Sequence, residues 1–280
     1  MRIADTWKDY QVISTGDGQK LEKWGAYTLL RPDPQVIWHA KKDLKKGVDA
    51  FYERKDGGGL WHYNKQIPER WNISWEGIKF IVKPMGFKHT GIFPEQAVNW
   101  KNMMGLIEKA NRPIKVLNLF AYTGGASVAC AKAGAAVTHV DASKGMVERA
   151  KENAQLNGIN TIRYIVDDCQ KFIEREVRRG NFYDAIIMDP PSYGRGPSGE
   201  MWKLEENLAN FVALTKKVLS DKPLFVLINS YTTGLQPTVI ANILKSVFGN
   251  ENVEADEIGL PSQDGLVLPC GATGVKIWKN

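Results

Sequence analysis

Val116-Leu117-Asn118-Leu119-Phe120-Ala121-Tyr122-Thr123-Gly124-Gly125-Ala126-Ser127 decides how this chain is read. An apolar run of strand length ends in a turn with paired glycines and passes at once into small, helix-forming residues. The glycines permit a tight turn and close approach of the backbone to a ligand. The turn is not GxGxxG, because Tyr122 and Thr123 occupy its tightest part, and a pyrophosphate needs a bare glycine loop at a helix N-terminus. No GxxxxGK[ST] occurs either. The loop suits a nucleoside without phosphates better than one carrying them.

Strand and helix signals alternate on both sides of this stretch. A helix is predicted at Ala97–Lys109, then a strand at Lys115–Phe120, a helix at Ala126–Ala133, a strand at Ala136–Val140 and a helix at Met146–Leu156. Next come a strand at Ile162–Val166, a helix at Cys169–Arg179, a strand at Tyr183–Met188 and a helix at Glu205–Leu219. A strand at Leu224–Ser230, a helix at Thr238–Phe248 and two strands, Val253–Gly259 and Gly274–Trp278, complete the pattern. Alternation of this kind predicts an α/β fold with a doubly wound, mostly parallel sheet. The last two strands have no helix between them, so the sheet ends in an antiparallel hairpin, unlike an ordinary dinucleotide dehydrogenase.

Ligands of such sheets bind beyond the C-terminal strand ends, near the switch in strand order. The second strand ends at Val140-Asp141, followed by Ala142-Ser143, about 20 residues beyond the loop. A carboxylate there can accept from both ribose hydroxyls. The third is followed by Asp167-Asp168-Cys169, where a carboxylate can accept from an adenine amino group and Cys169 can border the base. Either carboxylate can instead be a helix N-cap; three features in order at three strand ends favour a cofactor site.

LNLFAYTGGAS, VDAS, KENAQLNG, DDC and DPPS together resemble the class I methyltransferase core of the bacterial 23S ribosomal RNA large-subunit methyltransferases of the I and K types, over residues 85–280. The resemblance implies a Rossmann-like domain using S-adenosyl-L-methionine, with Phe120, Ala121, Tyr122, Thr123, Gly124 and Gly125 bearing on the methionine part. Asp141, with Ala142 and Ser143, is then placed at the ribose, Asp168 and Cys169 at the adenine, and Asp189 beside the donor. Gly86-Phe87-Lys88-His89-Thr90-Gly91-Ile92-Phe93-Pro94-Glu95-Gln96 is similar to the family's stretch that closes over the cofactor, with Gln96 as the contact. An interdomain linker with packed aromatics is the other reading of that segment.

The fourth strand ends in Met188-Asp189-Pro190-Pro191-Ser192-Tyr193. Two prolines fix φ and remove two donors, leaving carbonyl oxygens to accept. An amino group held by those oxygens and by Asp189 directs its lone pair outward, towards the sulfonium methyl. Asp189, Pro190, Pro191 and Ser192 are therefore the candidate catalytic set, and alignment supplies much of the rate. No metal-ligand cluster is visible, and the donor is electrophilic enough without one. Tyr193 and Trp202 are candidates to stack on a base. Arg195 and Lys203 are candidates to meet phosphates, within a basic lip that includes Gly194-Arg195-Gly196-Pro197-Ser198-Gly199. Carbon-5 methylation of cytosine needs a cysteine nucleophile. None lies in Asp189–Tyr193 or in Ile228-Asn229-Ser230-Tyr231-Thr232-Thr233-Gly234, so methylation of a base nitrogen is expected. Cys270, on the loop between the last two strands, is read as a structural thiol.

The front of the chain differs in character. Seven of the nine tryptophans lie at or before Trp100. Short strands at Tyr10–Ser14, Lys23–Leu30, Val36–Trp38, Trp61–Tyr63, Trp71–Ser74 and Ile78–Lys83 predict a small β-rich domain, residues 1–84, before a methyltransferase domain, residues 85–280. Its aromatics serve either the core or a nucleic-acid platform, and Lys41–Lys46 either a solvated face or a phosphate-contacting patch. It does not visibly carry the RNA-binding module that opens the I-type relatives. The net charge of +6 suits a polyanion without demanding one. The three cysteines form no CxxC pair, and neither a bilayer span nor an export signal is visible, so a cytoplasmic protein without membrane partners is expected. The expected partner is ribosomal RNA. Alternatives are methylation of a protein glutamine amide, a non-catalytic RNA-binding protein with this fold, and a small-molecule methyltransferase.

Overall fold

The computed structural model describes residues 1–55, 58–86, 88–195, 201–231 and 234–279, with Arg195 described by its backbone alone. Phe87, Gly196, Pro197, Ser198, Gly199, Thr232 and Thr233, named above, lie outside the described residues. Two compact units divide the chain: Arg2–Val98 with Gly259–Cys270, and Asn99–Ile258 with Met1 and Gly271–Asn280.

The first unit contains β1 (Arg2–Ile3), β2 (Tyr10–Gly16), β3 (Gln19–Trp24), β4 (Tyr27–Pro32), β5 (Ala50–Lys55), β6 (Gly58–Tyr63), β7 (Trp71–Trp75) and β8 (Ile78–Val82). A five-stranded sheet runs β2-β3-β4-β5-β6, and β7-β8 is a separate hairpin. The single strand expected at Lys23–Leu30 is two strands, because Gly25 at φ +64° turns the chain and lets Trp24 pair with Tyr27. Val36–Trp38 is not a strand. The carbonyls of Val36 and Trp38 accept instead from the Gly18 and Asp17 N–H groups. Trp24 and Trp75 are fully buried, and Trp7 packs on Tyr10, Trp75 and Phe80. These tryptophans build the core.

The units part at residues 98 and 99, whereas the sequence expectation puts the boundary at 84 and 85. Trp7 Nε1 donates to the Pro94 carbonyl at 2.8 Å, which ties residues beyond 84 to the first unit. Gly259–Cys270 joins it through Asp264, whose Oδ2 accepts from Ser14 Oγ at 2.9 Å and from the Thr15 N–H at 3.0 Å.

The second unit alternates α1 (Ala97–Lys109), β9 (Lys115–Leu119), α2 (Gly125–Lys132), β10 (Ala136–Asp141), α3 (Lys144–Leu156), β11 (Arg163–Val166), α4 (Cys169–Arg179) and β12 (Ala185–Met188). A short hairpin not foreseen from sequence follows, β13 (Tyr193–Arg195) and β14 (Met201–Lys203). Then come α5 (Leu204–Thr215), β15 (Phe225–Ser230), α6 (Pro237–Phe248), β16 (Val253–Pro261) and β17 (Val267–Ile277). The sheet runs β16-β17-β15-β12-β9-β10-β11. β11, β10, β9, β12 and β15 are mutually parallel, and β17 is antiparallel to β15. The chain winds outward from β9 to β11, then returns to lay β12 on the other flank of β9. That reversal puts the switch point between β9 and β12, the crevice where such sheets take ligands. Leu117, Leu119, Ile186, Met188, Val226 and Ile228 bury one sheet face against α4, α5 and α6 through Phe172, Leu208, Phe211 and Ile240. The last strand starts at Val267 rather than Gly274, so Cys270 is not on a connecting loop but within β17, buried, its thiol donating to the Leu268 carbonyl at 3.3 Å.

Candidate active site

The loop Phe120–Gly124 leaves β9 at the switch point in an unusual backbone. Phe120 (φ +54°) and Tyr122 (φ +50°) lie in the left-handed region, which costs a side-chain-bearing residue roughly 1–3 kcal/mol. Three consecutive N–H groups are pinned to α4 and β10. That of Phe120 donates to Cys169 Sγ at 3.3 Å, that of Ala121 to the Val140 carbonyl at 3.1 Å, and that of Tyr122 to Asp141 Oδ2 at 2.8 Å. Asn153 of α3 donates from Nδ2 to the Thr123 carbonyl at 2.8 Å. β10, α3 and α4 thus hold the loop in shape before any ligand arrives. Gly124 is left-handed at φ +82°, and a Cβ there would stand 2.9 Å from Ala150 Cβ. Close approach to α3 therefore requires this glycine.

Asp141 ends β10. One carboxylate oxygen takes the Tyr122 N–H, and the other takes the Ser143 N–H at 2.8 Å. Burial raises its pKa, against the opposing pull of those two N–H groups. Ser143 caps α3, its hydroxyl accepting from the Met146 N–H at 3.4 Å; Ala142 lies between them. Asp168 caps α4, with Oδ1 accepting from the Lys171 N–H at 2.9 Å. A carboxylate offers about four acceptor positions, so both Asp141 and Asp168 have more positions than the N–H groups they accept here. Cys169 is different. Its side chain is buried in the core below Phe120, its Sγ accepts from the Phe120 N–H, and burial pushes the thiol well up.

The acceptor motif follows β12. The Asp189 N–H donates to the Leu119 carbonyl at 3.3 Å, holding the motif against the cofactor loop's strand. Two carbonyls of the motif take donors from the following segment: that of Pro191 accepts from Trp202 Nε1 at 2.7 Å, and that of Ser192 from the Leu204 N–H at 3.0 Å. A carbonyl oxygen has two lone pairs, so each of these keeps one acceptor position beside the donor it already holds. The Trp202 ring packs on Phe120 at 5.3 Å and Phe211 at 5.5 Å and braces the motif. Tyr193 is exposed, its hydroxyl 3.1 Å from Met201 Sδ. Lys203 pairs with Glu206 at 2.8 Å, which raises its pKa. Arg195 is placed on β13 by its backbone. Gln96 belongs to the first unit, buried in the turn Pro94–Gln96. Phe120–Gly125, Asp141–Ser143, Asp168–Cys169 and Asp189–Ser192 lie at or just beyond the C-terminal ends of β9, β10, β11 and β12, and Tyr193, Arg195, Trp202 and Lys203 lie on the β13–β14 hairpin.

The motifs left a buried polar network unread. Asn118 Nδ2 donates to Ser127 Oγ at 2.9 Å, and that hydroxyl lies 3.0 Å from His139 Nδ1. This chain of groups locks the start of α2 to β9 and β10. Burial lowers the His139 pKa to about 4, leaving the ring neutral. Asn99 and Asn229 form a second pair at 2.9 Å. Asn118, His139 and Asn229 stand in the apolar strands VLNLF, VTHVD and LINS, and a buried polar residue requires a partner. That requirement is the signal by which they could have been found.

A family model described as S-adenosylmethionine-dependent methyltransferase matches residues 20–212. The chain belongs to that family. The crystal structure of the SAM-dependent methyltransferase from Agrobacterium tumefaciens matches it at 36% identity and TM-score 0.93, covering 100% of this chain and 94% of that one. SMU.776, crystallised as a complex with SAH, shares the fold at 21% identity and TM-score 0.77, over 97% of this chain and 76% of that one. Ribosomal RNA large subunit methyltransferase K from Neisseria meningitidis is 31% identical over 64% of this chain and 53% of its own length. The K/L enzyme of Shewanella sp. (strain MR-4) is 33% identical over 85% of this chain and 30% of its own length. The methyltransferase described here thus spans about half or less of these two curated relatives. S-adenosylmethionine is its methyl donor, and the crevice has the chemistry to take it: acidic acceptors after β10 and β11, a pinned loop after β9, and no phosphate cradle. No helix among the described residues is long and apolar enough to cross a membrane.

Proposed function

We propose that this methyltransferase modifies a base of ribosomal RNA at a nitrogen atom, in the cytoplasm. One observation carries the reading: Asp141, Asp168, the loop Phe120–Gly124 and the motif Asp189–Ser192 all follow neighbouring strands at one end of one sheet. Bound there, S-adenosylmethionine supplies an electrophilic methyl group. In this reading Asp141 accepts from the ribose hydroxyls, and Asp168 from the adenine amino group. The Phe120–Gly125 backbone lies along the methionine part. Asp189 and the Pro190 carbonyl accept hydrogen bonds from the substrate amino group and turn its lone pair towards the methyl carbon. Proline at 190 and 191 keeps those acceptors from drifting, and alignment at about 3 Å supplies much of the acceleration. Support for ribosomal RNA comes from the names of the K and K/L relatives and from the net charge of +6. Support for a nitrogen target comes from the cysteines: Cys130, Cys169 and Cys270 are all buried, and burial raises the pKa of each. A buried, protonated thiol makes a poor nucleophile. Tyr193, Arg195 and Lys203 remain proposed RNA contacts.

The test compares nucleoside mass spectra of ribosomal RNA from cells with and without the gene. It then treats the deficient RNA with purified protein and methyl-labelled cofactor. A single missing N-methylated nucleoside, restored in vitro, is the expected result. Label in protein instead of RNA would replace this reading with glutamine-amide methylation.

A further inference from the structure

Trp202 touches both halves of the reaction site, and it does so from a hairpin that the family motifs do not include. Its ring lies 5.3 Å from that of Phe120, the first residue of the cofactor loop, and 5.5 Å from that of Phe211 on α5. Its Nε1 donates to the Pro191 carbonyl at 2.7 Å, inside the acceptor motif. The following segment adds a second tie, from the Leu204 N–H to the Ser192 carbonyl at 3.0 Å. Leu204 is fully buried, which fixes the start of α5 in the core.

Pro190 and Pro191 have no N–H to offer, so the middle of the loop has no backbone donor of its own. The Asp189 N–H holds one end, to Leu119, at the long distance of 3.3 Å. Between Asp189 and Ser192 the described residues provide one hydrogen bond to the proline carbonyls, and it comes from Trp202. From this we infer that Trp202 is a positioning residue for methyl transfer. Its indole N–H sets the orientation of the Pro190–Pro191 segment, and its ring references that orientation to Phe120, where the donor's methionine part is proposed to lie. A substrate amino group then finds Asp189 and the Pro190 carbonyl at a fixed offset from the methyl carbon. Pro191 O serves as the anchor. This assignment rests on the proposed acceptor role of Asp189–Ser192.

The test replaces Trp202 by benzothienylalanine, which keeps the bicyclic ring and puts sulfur where the N–H stood; Trp202→Phe is the simpler companion. Three quantities are read on the full-length protein: the dissociation constant for S-adenosylhomocysteine, hydrogen exchange of residues 188–195 and 116–128, and single-turnover methyl transfer to ribosomal RNA from gene-deficient cells. Displacement of a reacting group by about 1 Å costs about 100-fold, so transfer falls about 10- to 100-fold. Cofactor affinity stays within about twofold, and exchange accelerates in 188–195 but not in 116–128. Unchanged transfer, or unchanged exchange in 188–195, overturns the assignment. Parallel loss of cofactor affinity, thermal stability and transfer overturns it too, since that pattern marks a purely structural ring. If wild-type protein does not label the RNA, the RNA reading fails by itself, because the exchange comparison needs no acceptor and still decides for or against the anchor.

Discussion

Asp141, at the end of β10, and Asp189, after β12, are proposed to have different duties, and mutation separates them. Asp141 already receives two backbone N–H groups, so Asp141→Ala releases the turn at Tyr122 and, on the proposed reading, removes a ribose acceptor as well. Hydrogen bonds to a charged group are worth about 1.5–3 kcal/mol, so calorimetry is expected to show S-adenosylhomocysteine binding weakened about 10- to 100-fold. Asp189→Ala is expected to leave that affinity within about threefold and to depress turnover about 100-fold or more. Equal loss of binding in both variants would show the roles misassigned. His139 predicts a pH effect of definite sign. Its folded pKa, about 4, lies below the ordinary 6.5, so an unfolded chain takes the proton first. Its stabilising contribution is full above pH 6.5 and is lost as pH falls towards 4, by about 3 kcal/mol at the end of that range. His139→Gln is therefore expected to flatten the acid limb of urea midpoints measured from pH 7.5 to 4.5. His89, lowered to about 4 as well, keeps the limb from vanishing. Identical slopes would place the titration elsewhere.

Elements supply what single residues do not. The cofactor loop keeps two non-glycine residues left-handed because β10, α3 and α4 each hold one of its groups. The strain is offset by those bonds, so the element is pre-shaped at some cost in local stability. Gly124→Ala forces a side chain onto φ +82° and brings it 2.9 Å from Ala150 Cβ. A loss of about 1–3 kcal/mol follows, read as a fall in thermal midpoint of several degrees, with weaker cofactor binding. Asn153→Ala leaves the Thr123 carbonyl without its amide donor and is expected to act in the same direction by about 1–2 kcal/mol. An Asn153→Ala protein with wild-type midpoint and affinity would mean that α3 contributes nothing to the loop.

Across the whole molecule, the order of elements in sequence is not the order of compact units. Residues Gly259–Cys270 return to the first unit, where Asp264 takes the Ser14 hydroxyl and the Thr15 N–H, and the Gln263 N–H meets the Val12 carbonyl at 3.0 Å. A fragment ending at residue 98 lacks these groups and is expected to lose cooperative unfolding, monitored by near-ultraviolet circular dichroism. Adding a peptide of residues 253–278 in trans should restore part of it. A cooperative 1–98 fragment would show the return segment to be dispensable. The sequence by itself determined the parallel alternation, the strand ends that bear Asp141, Asp168 and Asp189, and the donor they suit. Those features are local: periodicity, turn residues and caps act over a few neighbours. Only the tertiary structure decided that Trp202 braces the acceptor motif, that Cys169 supports the loop, that Asn153 reaches Thr123, and that the tail completes the front unit. Each of those depends on which distant residue fills a given space or meets a given carbonyl, and residue type alone does not encode the partner.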